Sequence, residues 1–277
     1  MTMILNGKEV AKSLLMSIRQ RVENSSIRPG LAVVQVGSIA ASSIYVQRKG
    51  SRAKKLGFHS IVVPLSESCT QEELLRQVRR LNDDDEIHGI LVQLPLPKHI
   101  DERTVLEEIA SHKDVDGFHA VNAGLLVQGR GELIPCTPKG VMHILNYYQI
   151  PLEGKHAVVV GRSNIVGRPM VALLEQSNCT VTVCHSRTVN MQQHLMSADI
   201  VVAAVGRPKL IQGEWIKAGA VVIDVGINRL DDGSICGDVD YESVAPIASA
   251  ITPVPGGVGP MTIATLMENT CRAALKS

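Results

Sequence analysis

Aromatic residues are scarce: two Phe, one Trp and four Tyr make up 3% of 277 residues. A core of any size therefore has to be built from Val, Ile, Leu, Ala and Met. An excess of charge is also missing, since 28 Lys and Arg stand against 27 Asp and Glu for a net charge of +1. That balance supplies neither the basic field that nucleic acid attracts nor a polybasic patch for a membrane surface. No apolar run approaches the roughly 18 residues of a membrane span. The N-terminus, whose apolar start stops at Asn6, lacks the basic segment of a signal peptide. The six cysteines (Cys69, Cys136, Cys179, Cys184, Cys236 and Cys271) form no C-x-x-C pair, and Cys184-His185 has no second pair to complete a zinc site. The sequence thus predicts buried free thiols, a reducing cytoplasmic setting, no metal, no nucleic-acid partner and no membrane partner.

What the chain does have is alternation. Short, nearly continuous apolar runs at 31–36, 61–64, 89–94, 157–160, 180–183, 200–203 and 220–224 are separated by longer helical patterns such as 70–81. Runs of this kind suit strands covered on both faces, and their spacing suits crossover units with a parallel sheet. The fold class is α/β, in two domains. Residues 1–138 are expected to form an N-terminal α/β domain. Residues 139–260 are expected to form a Rossmann-type dinucleotide domain. The last helix, 261–277 with Pro260 at its first turn, is expected to return to the first domain.

The dinucleotide expectation rests on Gly161-Arg162-Ser163-Asn164-Ile165-Val166-Gly167, which follows the apolar run 157–160 and opens a helix-like segment. Glycine lets a backbone approach a pyrophosphate, whose charge suits a helix N-terminus. The spacing departs from G-x-G-x-x-G, because Ser163 takes the second glycine place and Gly167 comes one position late. After the next strand come Cys184-His185-Ser186-Arg187-Thr188, with no carboxylate to bind a ribose 2′-hydroxyl. Arg162 and Ser186, with Arg187 or His185, would instead welcome a 2′-phosphate, so the chemistry favours NADP over NAD.

Near the other end of the chain, Tyr45 and Lys49 stand four apart on a basic helix that also carries Arg48, Arg52, Lys54 and Lys55. A lysine amine among apolar walls and other cations can serve as a base or proton shuttle. Tyr-x-x-x-Lys also occurs in short-chain dehydrogenases, but there it follows the cofactor fingerprint. Here it precedes the fingerprint by more than a hundred residues.

Four further segments complete an ordered set: Gly89-Ile-Leu-Val-Gln-Leu-Pro-Leu-Pro97, Lys113-Asp-Val-Asp-Gly-Phe118, Pro135-Cys-Thr-Pro-Lys-Gly140 and Pro253-Val-Pro-Gly-Gly-Val-Gly-Pro-Met-Thr262. Together with the Tyr–Lys pair and the glycine turn, they resemble the bifunctional methylenetetrahydrofolate dehydrogenase/methenyltetrahydrofolate cyclohydrolase family over nearly the whole chain. The resemblance implies NADP-dependent oxidation of 5,10-methylenetetrahydrofolate, then hydrolysis of the methenyl cation to 10-formyltetrahydrofolate. Such chemistry belongs to one-carbon metabolism and purine biosynthesis. The resemblance also implies a homodimer of two-domain subunits, with a folate cleft between the domains.

Residue by residue, Lys49 matches the catalytic lysine, Gln93 the glutamine beside it, and Tyr45 the aromatic along the folate. Asp116 matches the carboxylate that binds the pterin edge. Pro255, Gly256 and Gly257 match a loop near the substrate. Gly161, Arg162, Ser163, Ile165, Val166, Gly167, Ser186, Arg187 and Ile227 match cofactor positions. Two departures stand out: Ser38-Ile39-Ala40, where the family has an acidic or amide residue and a proline, and Gly50, which weakens a helix by about 1 kcal/mol relative to Ala. Two other readings remain open from sequence: a dehydrogenase without cyclohydrolase activity, and a folate- or NADP-binding regulator without turnover.

Overall fold

The structure, a computed structural model, describes residues 1–37 and 40–276, with side chains described outside 38–45. In chain order the first half runs β1 (Met3–Ile4), α1 (Gly7–Glu23), β2 (Gly30–Val36), α2 (Ala40–Lys55), β3 (His59–Leu65), α3 (Gln71–Asn82), β4 (Gly89–Val92), α4 (Glu102–Glu108), α5 (Ala120–Val127) and α6 (Cys136–Tyr147). The second half runs β5 (His156–Val160), α7 (Gly167–Gln176), β6 (Thr180–Cys184), α8 (Met191–Met196), β7 (Ile200–Ala203), β8 (Val221–Asp224), β9 (Asn228–Arg229), β10 (Ile235–Cys236), α9 (Tyr241–Val244), β11 (Ala250–Ile251) and α10 (Val258–Ala274).

Two compact units emerge. The first contains Ser13–Cys136 and Ile263–Ser277, the second Met1–Lys12 and Thr137–Thr262. In the first unit β2 is the middle of a three-stranded parallel sheet, order β3-β2-β4. β2 and β4 are buried almost throughout, as their aliphatic runs require, while β3 alternates toward solvent and carries Pro64. Pro64 lacks an N–H, and an edge strand tolerates that loss. The face of α2 that turns inward carries Val46, Lys49, Gly50 and Ala53, with Leu56 buried just past its end, while Arg48, Arg52, Lys54 and Lys55 are exposed. Leu266, Met267 and Cys271 of α10 join the core built on Leu31, Val33 and Phe58, so the last helix does return to this part of the chain.

Gly50 lies on that buried face with room beside it. A Cβ there would meet only Ser60 Oγ at 3.8 Å and Val62 Cγ2 at 3.9 Å, ordinary contact distances. Gly50→Ala is therefore expected to stabilise the protein by about 0.5–1 kcal/mol through helix propensity. A higher urea midpoint would show it; an unchanged or lower midpoint would contradict it.

The second unit is a six-stranded sheet, order β1-β11-β8-β7-β5-β6, with every pairing parallel. β7 and β8 are wholly buried, and β5 nearly so. The chain leaves β5 toward β6 on one side and returns to β7 on the other, so the switch in strand order lies between β5 and β7. Ligands of open parallel sheets bind at that point, outside the carboxyl ends of the strands. One difference from the sequence expectation concerns Met1–Lys12, which belong with this unit rather than with residues 13–136. The cause is a parallel pairing of Met3 and Ile4 with Ala250 and Ile251, which two residues cannot announce by periodicity.

Candidate active site

Lys49 and Gln93 meet in the first unit. The α2 helix carries Lys49 inward, where it is 8% exposed, and Gln93 continues from β4 by donating its backbone N–H to Val34 O at 2.9 Å. Lys49 Nζ donates to Gln93 Oε1 at 3.0 Å, and Gln93 Nε2 donates to Leu94 O at 2.7 Å. The second bond fixes which end of the amide faces the amine. A neutral acceptor holds Lys49 without the full charge of a salt bridge, and an ammonium has two further N–H groups to offer.

Asp116 completes the cluster. Its loop is held from several sides. Ile90 N–H donates to Lys113 O at 2.8 Å, and the Asp114 carboxylate accepts from Gly117 N, His119 N and Asn122 Nδ2. Asn269 Nδ2, fully buried on α10, donates to Val115 O and Ile134 O, both at 2.8 Å. Gly117, at φ +75°, sits so close to Ile134 and Pro135 that a Cβ would lie 2.6 Å from Pro135 N. Burial pushes the Asp116 carboxyl up to about 6; the Lys49 charge opposes this, Asp114 adds to it, and a hydrogen bond with the Cys136 side chain lowers it. The half-buried Asp116 carboxylate and the buried Lys49 amine thus share one electrostatic environment, suited to binding a donor-rich ring edge and to moving a proton. Cys136 was read from sequence only as a buried thiol. Its part in the cluster depends on the fold of residues 134–136 beside Asp116, although its place in the Pro135–Gly140 segment was a signal. The Tyr45 side chain and Ser38-Ile39 lie outside the described residues.

The cofactor candidates lie in the second unit, after the carboxyl ends of β5 and β6 and, for Ile227, of β8. Gly161 has φ +125°, and a Cβ there would lie 2.2 Å from Ala204 O. A Cβ on Gly167 would lie 2.3 Å from Gly161 O. Only glycine fits either place, so the late glycine still closes the turn. Ser163 explains the altered spacing: its Oγ accepts from Val166 N at 3.2 Å and Gly167 N at 3.4 Å, and its carbonyl accepts from Arg168 N at 3.0 Å. The first N–H groups of α7, expected from sequence to face a pyrophosphate, are therefore already engaged. A hydroxyl that accepts two N–H groups still has its own O–H to donate. Arg162, Ser163, Ile165, Ser186, Arg187 and Ile227 are exposed, and Val166 is half-buried. His185 turns into its own loop, with Nδ1 accepting from Arg187 N at 3.2 Å, which leaves Ser186 and Arg187 at the surface. Pro255, Gly256 and Gly257 lie in this unit as well. There Gly257 N–H donates to Pro253 O, and a Cβ on Gly7 would lie 1.8 Å from Gly257 O.

Both halves match family models. The model described as tetrahydrofolate dehydrogenase/cyclohydrolase, catalytic domain, matches residues 5–116, and its NAD(P)-binding domain matches residues 135–277. The chain belongs to the tetrahydrofolate dehydrogenase/cyclohydrolase family. Within that family, the bifunctional protein FolD of Vesicomyosocius okutanii subsp. Calyptogena okutanii (strain HA) is 55% identical over 270 residues, 98% of each chain. The crystal structure of the bifunctional FolD methylenetetrahydrofolate dehydrogenase/cyclohydrolase from Campylobacter jejuni matches with a TM-score of 0.97 at 46% identity, covering 100% of this chain and 99% of that one. The Trypanosoma brucei methylenetetrahydrofolate dehydrogenase-cyclohydrolase, solved with NADP and an inhibitor, matches with a TM-score of 0.94 at 38% identity over 99% and 98%. Among the described residues, no helix is long and apolar enough to cross a membrane. Nor, among them, could any group of three or more His, Cys, Asp or Glu hold a metal ion.

Proposed function

We propose that this chain oxidises 5,10-methylenetetrahydrofolate with NADP+ and hydrolyses the methenyl product to 10-formyltetrahydrofolate, with Lys49, Gln93 and Asp116 as its chemical centre. The observation that carries the proposal is the hydrogen bond of the buried Lys49 to Gln93 beside Asp116, whose carboxyl is pushed up by burial, in a member of the dehydrogenase/cyclohydrolase family. Asp116 accepts from the amino and N–H edge of the pterin and so fixes the folate. The family resemblance assigns Tyr45 to the folate ring system, and Pro255, Gly256 and Gly257 to a substrate loop.

Gly161 and Gly167 fit a dinucleotide because any side chain there would fill the turn. Arg162, Ser163, Ile165, Val166, Gly167 and Ile227 would hold the cofactor, with Arg162, Ser186 and Arg187 meeting a 2′-phosphate. When bound, NADP+ supplies the acceptor for the hydride that leaves the one-carbon unit. For the hydrolytic step, Lys49 takes a proton from water as its oxygen attacks the amidinium carbon. The resulting ammonium returns that proton to the pterin nitrogen as its bond to the carbon breaks, while the hydroxyl proton of the intermediate leaves to solvent as the formyl C=O forms. Gln93 keeps the amine aimed through both transfers. A dehydrogenase without the second activity would have no use for so placed a lysine. We further propose a cytoplasmic homodimer; the free state of all six cysteines supports a reducing compartment, and the family resemblance supports the dimer.

The test is cofactor reduction by the purified protein with methylenetetrahydrofolate. NADP+ is expected to be preferred over NAD+ by at least about tenfold in kcat/KM, roughly 1.4 kcal/mol. Arg162→Ala should erase most of that preference. No turnover with saturating folate would overturn the function, and equal kinetics with both nucleotides would overturn the assignment of Arg162 and Ser186.

A further inference from the structure

Two buried carboxylates, neither of which the reaction uses, lie at the carboxyl ends of β7 and β8. Asp238 is fully buried and Asp224 is 4% exposed. Asp238 Oδ2 accepts from Val205 N at 2.6 Å and Gly206 N at 3.0 Å. Its Oδ1 accepts from Arg207 N and from Asn228 Nδ2, both at 2.9 Å. Three consecutive backbone N–H groups pointing at one anion make the kind of concavity that elsewhere binds phosphate. Here the chain fills it with its own carboxylate. Asp224 stands behind, accepting from Gly226 N, Asp238 N and Val239 N at 2.9–3.0 Å, while its own N–H donates to Thr252 Oγ1.

Glycines make room for the pair. A Cβ on Gly226 would lie 2.4 Å from Asp238 Cγ, and one on Gly237 would lie 1.8 Å from Asp224 Oδ2. The loops tied together in this way are those beside the nucleotide turn. Ala204, just before the clamped Val205–Arg207 stretch, is the residue whose carbonyl crowds Gly161. Ile227 lies between Gly226 and Asn228, both held by the carboxylates.

We propose that Asp238, backed by Asp224, is a positioning residue of the cofactor site: an internal anion that locks the loops after β7 and β8 into the shape the dinucleotide meets. This rests on the assignment of that site to NADP, and direct titration of the wild-type protein with NADP+ tests that assignment separately. In Asp238→Asn an amide NH2 must face either Val205 and Gly206 or Arg207 and Asn228, so one set of donors loses its acceptor. NADP+ affinity by calorimetric titration is expected to fall about 100-fold. At saturating NADP+, kcat and the folate KM should stay within about threefold of wild type, a split that general loss of structure would not give.

Asn228→Ala removes a single donor and is the milder variant if Asp238→Asn does not fold. It should weaken NADP+ binding about tenfold, with the melting temperature little changed. Wild-type affinity in a folded Asp238→Asn protein, or in Asn228→Ala, overturns the proposal. So does a loss shared equally by NADP+ affinity and kcat. Failure of the wild type itself to bind NADP+ would instead overturn the cofactor assignment.

Discussion

Replacing Lys49 by alanine is expected to lower methenyltetrahydrofolate hydrolysis by about 10²–10⁴-fold, the range general acid–base groups contribute. Oxidation of methylenetetrahydrofolate should fall much less, because hydride leaves the substrate without a proton passing through the amine. The product should then change identity: methenyltetrahydrofolate builds up where the wild type releases the formyl compound. The expectation follows from where Lys49 sits. Its neighbours Arg48, Arg52, Lys54 and Lys55 are exposed, and water screens them. Lys49 alone among them is buried, and it donates to a neutral acceptor at 3.0 Å. Lys49→Arg does not rescue the function, since a guanidinium stays protonated and cannot act as the base. Hydrolysis that survives in Lys49→Ala would mean that another group activates the water.

Asp116→Asn is expected to raise the folate KM by about 100-fold or more, since a carboxylate that accepts two donors from a ring edge loses one of them. NADP+ affinity should not move. Stability should move the other way. Burial lifts the carboxyl from 3.8 to about 6, so the folded state holds this proton more tightly than the unfolded chain does. The stability it contributes is complete below the unfolded value and is lost as pH rises through about 6. Above that pH the native protein carries a desolvated carboxylate, and the amide removes that cost. The variant should thus be more stable than wild type near pH 8 by on the order of 1–3 kcal/mol, with the gain vanishing toward pH 4. Parallel urea titrations at the two pH values measure it. A variant less stable at pH 8, or one that keeps its folate KM, would contradict the role of Asp116 as a desolvated substrate carboxylate. Lowering the pH through 6 should likewise weaken folate binding by the wild type.

Much of the sheet could be read from sequence, because a buried parallel strand needs an unbroken aliphatic run. The runs at 157–160, 200–203 and 220–224 fall on β5, β7 and β8. β1 and β11 were not legible: two residues show no period, and their pairing joins positions nearly 250 apart. The glycine turn was legible in outline, but its altered spacing became intelligible only when Ser163 was found bonded to the N–H groups of α7. In the site, Lys49 stood out by its place four residues after Tyr45 on a basic helix, and the structure showed that it alone of that helix's cations turns inward. Asp238 did not, because it bonds to backbone N–H groups more than thirty residues away, and main-chain donors leave no trace in the sequence. Gly237 precedes Asp238 in the sequence, but that it has no room for a Cβ beside Asp224 is visible only in the structure.

The most direct test follows NADPH and methenyltetrahydrofolate together, in one reaction started with methylenetetrahydrofolate and NADP+. The account predicts that NADPH rises in the wild type while methenyltetrahydrofolate stays low and 10-formyltetrahydrofolate accumulates. In Lys49→Ala, NADPH and methenyltetrahydrofolate should rise together. Persistent methenyl accumulation in the wild type, or no NADPH at all, would contradict a single chain that performs both steps.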